Sequence, residues 1–316
     1  YRQKLGLDFL GQLTVSGSVS AFGTRLSGGM SAVFSDMLGD RGLGVQGQIG
    51  GTLADFGGEL LYINRRHRWN WGAAMAASPF AVGYLTRRDD PDTGTVEIQE
   101  IIQRQTSIGP TAFAAFPFNT STRLEVSGAA QRLTFTQETR TGTYSPGSTI
   151  PANLTTSRET LGRPLVLGQA AAALVHDTSF FGATSPVYGA RSRFELAHTV
   201  GTLNYTTAIL DYRRYFMPVR PWTIAVRGMH YGRYGRDAED GQLLDLYAGY
   251  PEFVHGYGVG SFTAAECFQG GSGPDCAVFR NLLGSRLAVA NLEVHVPVPG
   301  VFHNQLEYGR LPVDLA

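Results

Sequence analysis

Residues 121–137 read STRLEVSGAAQRLTFTQ. Within this run Leu124, Val126, Gly128 and Ala130 alternate with Arg123, Glu125, Ser127, Ala129 and Gln131. A period of two is what a β-strand shows when its two faces meet different surroundings. The run is also long. Strands of soluble sheets average about five or six residues, whereas a strand that crosses a membrane needs roughly 9–11. The stretches 158–176 and 281–297 are comparably long. A soluble sandwich alternates too, so strand length is what separates it from a membrane barrel.

The alternation recurs outward from this run. Leu26, Gly28, Met30, Ala32 and Phe34 alternate with Arg25, Ser27, Gly29, Ser31 and Ser35. Tyr188, Ala190, Ser192, Phe194 and Leu196 alternate with Gly189, Arg191, Arg193 and Glu195, and Ala208, Leu210 and Tyr212 with Asp211 and Arg213. One face is small to apolar; the other carries both signs of charge. Compact turns fall at 35–40 (SDMLGD), 65–68 (RRHR), 117–122, 177–186 and 217–221. Between them lie segments of more variable length at 17–22, 52–55, 85–95, 140–157, 198–202 and 235–280. Short turns on one side and longer loops on the other are the topology of an outer-membrane barrel. The expected fold class is therefore all-β, an antiparallel transmembrane β-barrel filling residues 1–316. Its strands are predicted at 2–16, 23–34, 41–51, 56–64, 69–84, 97–116, 121–139, 158–176, 187–197, 203–216, 222–234 and 281–297, with another beginning after Phe302.

Composition narrows the classes further. The longest purely apolar stretch is Ala170–Val175, far short of the ~20 residues a membrane helix requires. Glycine is abundant, 40 of 316 residues, which suits crowded barrel backbones. Lys plus Arg equals Asp plus Glu, 26 each, so no global field points to nucleic acid. Aromatics gather near run ends (Trp69 and Trp71, Phe180 and Phe181, Tyr212, Tyr215 and Phe216, Trp222), where interfacial girdles place them. Cys267 and Cys276 share a Gly/Ser/Pro loop; a disulfide closing it fits an oxidising compartment, two free thiols being the alternative.

No catalytic constellation emerges. Gly42–Gly47 matches G-x-G-x-x-G literally, but that fingerprint needs a following helix, and here the alternating run simply continues. Asp89, Asp90 and Asp92 crowd one loop; oxygen ligands suit calcium, and a solvated loop is the plainer expectation. The inward face is expected to carry Arg123, Glu125, Arg191, Arg193, Glu195, Asp211, Arg213, Arg227 and Glu293, either as a simply solvated, ion-paired interior or as a constriction. No enzyme, metal or cofactor is expected.

The segment 222–297 contains WTIAVRGMHYGRYG, LYAGYPEFVHGYGVGSF, AECFQGGSGPDC and LLGSRLAVANLEVHVPV. It resembles the C-terminal barrel of the BamA/TamA-type bacterial surface antigen superfamily, which serves outer-membrane protein assembly and translocation. There a surface loop between strands eleven and twelve carries a (V/L)RG(F/Y) signature and folds into the lumen. Val254, His255, Gly256 and Tyr257 stand in its place, in the loop that the strand count independently puts between strands eleven and twelve. The run Asn291–Pro297 resembles the strand that follows. Two departures are His255 and His295, each where the family has an arginine; a mostly neutral histidine weakens any permanent ion-pair lock. FSDMLGD (34–40) and RRHRWNWG (65–72) resemble members that follow a periplasmic β-propeller. The resemblance implies about sixteen strands, of which 12–13 are present here.

The functional expectation is an assembly or translocation barrel in the outer membrane of a Gram-negative bacterium, with a loop folding into its lumen. Its expected partners are outer-membrane lipid and periplasmic domains upstream of Tyr1 or partner chains. A scaffold barrel anchoring a larger complex and a passive diffusion channel are the alternatives.

Overall fold

The computed structural model describes residues 4–20, 23–51, 55–89, 94–145, 147–148, 150–182, 185–220, 222–243, 245–251, 253–254, 282–297 and 308–315. Among them no helix is long and apolar enough to cross a membrane. The strands are β1 (Gly6–Leu10), β2 (Thr14–Ser20), β3 (Gly23–Ser35), β4 (Arg41–Gly51), β5 (Phe56–Asn64), β6 (Asn70–Asp89), β7 (Val96–Pro117), β8 (Thr122–Tyr144) and β9 (Asn153–Thr160). They continue as β10 (Leu165–Asp177), β11 (Phe180–Phe181), β12 (Pro186–Gly201), β13 (Tyr205–Val219), β14 (Trp222–Tyr234), β15 (Leu246–Tyr247), β16 (Leu283–Gly284), β17 (Arg286–Pro297) and β18 (Tyr308–Leu315). The chain divides into two compact units, Tyr1–Ala114 with Ser127–Gly168, and Ala115–Val126 with Gln169–Ala316.

In the first unit the hydrogen-bonded order is β1-β3-β4-β5-β6-β7-β8, with β2 also on β3 and β9 also on β8. Cross-strand register turns sequence alternation into two chemically distinct faces. Ala32 pairs with Val45, Val45 with Leu60 and Leu60 with Met75. Val45, Leu60 and Met75 remain 40%, 49% and 46% exposed, a contiguous apolar wall of a kind water-facing monomers avoid. One residue along, Ser31 pairs with Gln46, Gln46 with Glu59 and Glu59 with Ala76. The Gln46 amide donates to Glu59 at 2.7 Å, so this opposite face is polar and paired with itself.

Several predicted boundaries move. The first predicted strand, 2–16, is instead β1 and β2 on the same neighbour, broken at Gly11–Leu13, where Gly11 N–H still donates to the Ser31 carbonyl. Residues 17–20, read as loop, pair with β3 down to Ser20 opposite Gly23. The expected loop 140–157 is largely a hairpin. Thr136–Thr143 of β8 pair with Asn153–Thr160 of β9, extending the sheet beyond the long-loop end. The predicted run 158–176 breaks at 161–164, where Gly162 takes φ +71° and Pro164 removes a ladder donor. Gly42–Gly47 lies wholly within β4.

In the second unit the order is β10-β12-β13-β14-β17-β18, with β11 on β12. The registers are regular. Arg193 pairs with Asp211, Arg213 with Arg227, Arg227 with Asn291, and Thr223 with His295. β12 continues to Gly201, shortening the loop expected at 198–202. The strand expected after Phe302 is β18, whose Pro312 lies opposite Glu293 of β17. A positive φ at Gly189 (+101°) admits Thr178, whose carbonyl would collide with any Cβ there; this lets the 178–185 turn pack onto β12.

A charged strand face beneath a folded-back loop

Along β13, β14 and β17 the odd-numbered residues share one face, and on it charges converge where the registers align. Arg213 and Arg227 are directly opposite each other, an arrangement that is repulsive unless an anion intervenes. Asp211 is that anion. Its Oδ2 accepts from Arg213 Nη2 at 2.8 Å and from Arg227 Nη2 at 3.0 Å, and its Oδ1 from both Nε atoms at 3.1 and 3.2 Å. A second cluster joins β8 to β12. Arg193 donates to Glu125 and Glu195, each at 2.6 Å, and Arg123 donates to Glu125 at 2.6 Å. Arg191 lies 3.6 Å from Asp177 at the more exposed margin. Glu293 accepts from His295 Nε2 at 2.9 Å, and His295 Nδ1 faces Ser185 Oγ at 3.3 Å. The nine charges expected on the inward face therefore fall into two ion-paired groups, that margin pair, and Glu293 hydrogen-bonded to His295.

Over this face lies part of the long loop. The two-residue strands β15 and β16 pair Leu246 with Gly284 and Tyr247 with Leu283. A turn at Tyr250 accepts hydrogen bonds from the N–H groups of Phe253 and Val254 at 2.9 and 3.0 Å. Val254 then packs with Leu287 and Val289, all under 9% exposed, alongside Met229 and Phe253. The Phe253 carbonyl accepts a hydrogen bond from Asn291 Nδ2 at 2.8 Å. Pro251, Tyr215, Arg213, Arg227, Asn291, Glu293 and His295 surround a cavity of about 480 Å³ under the loop. Sequence reading placed Val254 in the loop signature, and its seat on β17 is visible here. His255, Gly256, Tyr257, Cys267 and Cys276 lie outside the described residues, as do Asp90 and Asp92, while Asp89 pairs with Arg87 at 2.9 Å.

No family model and no curated protein matches the sequence. Among solved structures, BamA from Haemophilus ducreyi lacking POTRA domains 1–3 superposes with a TM-score of 0.53 at 15% identity, over 96% of this chain. The fold is that of the BamA barrel. The match takes in 55% of the BamA chain, so this chain spans about half of that structure's length. In a BamA-type barrel the polar face of each strand lines the interior and the apolar face meets lipid. Val45, Leu60 and Met75 lie on the apolar face of their strands, and Asp211, Arg213, Arg227 and Glu293 on the polar face of theirs.

One cluster was not singled out from sequence. In the first unit Glu138 of β8 is 3% exposed in its side chain and accepts from Arg104, Arg158 and Arg140 at 2.7–2.8 Å. Arg104 also pairs with Asp55 at 2.6 Å, and Arg140 with Glu100 at 3.5 Å. The hydrocarbon band of a barrel, about 25 Å tall, takes up about ten tilted residues, and Glu138 stands far beyond that distance from the turn at Thr122. It lies in the part of β8 that pairs with β9, at the end of the strand away from that turn. Burial would push its carboxyl up, but the hydrogen bonds from Arg158 and Arg140 and the charge of Arg104 hold it at about 2. The signal in sequence was Glu138, Arg104 and Arg158 inside predicted strands and Arg140 at the start of a predicted loop, and their convergence depends on register.

Proposed function

We propose that this chain is the membrane-embedded barrel of an outer-membrane assembly or translocation factor, and that it works without enzymatic chemistry. What supports the reading is the seat of Val254 and Phe253 on the charged face of β17, together with the BamA fold. A loop held there narrows the lumen and keeps it shut until a partner or client displaces it. The outer bacterial membrane is the location this implies, with periplasmic domains or partner chains supplying the client. We further propose that Cys267 and Cys276, within the same stretch of sequence, form a disulfide rather than two free thiols.

Single-channel conductance in planar bilayers tests this, comparing the full-length protein with a deletion of residues 250–262. A closed wild type opened by the deletion is expected. Large steady conductance in both proteins would make the chain a diffusion channel instead, and silence in both would favour a scaffold barrel. A client-release assay in vesicles then separates assembly from mere plugging.

A further inference from the structure

We propose that the β5–β6 turn docks anionic phospholipid headgroups at the short-turn rim of the barrel, a reading that rests on the outer-membrane placement above. The turn is Arg65-Arg66-His67-Arg68, exposed throughout and without an acidic residue. Two hydrogen bonds fix its backbone, Arg65 N–H to the Asp40 carbonyl at 2.6 Å and Arg66 N–H to Asn64 Oδ1 at 3.1 Å. Three arginines stand on these four consecutive residues. The adjoining β3–β4 turn contributes Asp36, which is 4% exposed and folded onto Arg41 N–H of its own turn, and the half-buried Asp40. Counting Arg41, Arg65, Arg66 and Arg68 against Asp36 and Asp40, four minus two leaves the pair of turns at +2.

The turn is continuous with the lipid-facing wall. Leu60 and Met75 of that wall are followed by Tyr62 and Trp71, whose rings lie 5.5 Å apart, then by Trp69, then by the arginines. Trp69 and Trp71 are 47% and 43% exposed, and Met37 and Leu38 on the neighbouring turn are 89% and 71% exposed. Read from bilayer core to water, the order is aliphatic, aromatic, cationic. That matches acyl chain, headgroup boundary and phosphate in turn. A guanidinium donates in a planar fork that fits a phosphodiester. Phosphatidylglycerol adds the negative charge that a zwitterionic lipid lacks, and the site's surplus charge selects for it.

The experiment uses the full-length protein, reconstituted in vesicles of phosphatidylcholine with or without phosphatidylglycerol and then read by native mass spectrometry for retained lipid. Wild type should retain phosphatidylglycerol in preference to phosphatidylcholine. R65Q/R66Q/R68Q should lose that preference roughly tenfold, while R65K/R66K/R68K keeps most of it and shows that the barrel still folds. Equal phosphatidylglycerol retention by the glutamine variant and wild type overturns the proposal. So does a glutamine variant that keeps its lipid but no longer captures a periplasmic protein, which would make the turn a protein contact. If wild type fails to insert into vesicles, the outer-membrane reading falls and this proposal with it. Insertion without lipid preference sinks this proposal alone.

Discussion

Asp211 is one carboxylate serving two facing arginines, and its removal has a calculable sign. D211N deletes the anion and leaves Arg213 and Arg227 opposed across the β13–β14 ladder. Breaking a buried pair costs roughly 3–5 kcal/mol, and the 36% exposure of the Arg213 side chain lowers this to about 2 kcal/mol. Urea unfolding in micelles should report that loss, and adding R227Q to D211N should restore about half of it; additive losses would mean the two do not interact. Asn291 is the corresponding single point for the loop. N291A removes the donor to the Phe253 carbonyl and should loosen residues 246–254 by about 1 kcal/mol, seen as faster proteolytic cleavage there with the strands intact. Unchanged cleavage would show that Val254 packing alone holds the loop.

At the scale of elements, the β8–β9 hairpin hangs on Glu138. Its carboxylate titrates at about 2 when folded, against 4.5 ordinarily. A depressed value means the stabilisation is fully present above pH 4.5 and disappears as pH falls towards 2. Pepsin should therefore leave residues 153–160 intact near pH 5 and cut them increasingly as pH drops through that window. E138Q should be cut already at pH 5; equal resistance of the two proteins would remove Glu138 from the account. The strands themselves were legible in the sequence because alternation survives wherever the two faces of a strand meet different surroundings, as in Leu124–Ala130 and Ala208–Tyr212. The ends were less so. Residues 140–157 look like loop because Thr, Gly and Ser pair as readily as they turn, and the run 158–176 hides its break because only Gly162 and Pro164 betray it. The charged inner residues could be named one by one, but not the partner of each, since register depends on bulges such as that between Leu7 and Phe9.

For the whole molecule, the two faces make opposite demands on substitution. L60R or V45R places a guanidinium against acyl chains and should cost about 2–4 kcal/mol near the bilayer midplane, with a matching fall in folding yield into vesicles. Q46R, one residue along on the inner face beside Glu59, should fold normally; equal yields for all three would reverse the assignment of faces. The loop adds a mechanical property to this wall. Its return limb at Leu283–Gly284 runs directly into β17, and its Phe253 and Val254 are clipped to Asn291 and seated on Val289 of the same strand. Met229 of β14 packs against the same cluster, so residues 253–254 sit where β14 and β17 meet. Were β14 and β17 to part, this segment would lose its seat, so a fluorophore on it would act as a gauge of that one seam.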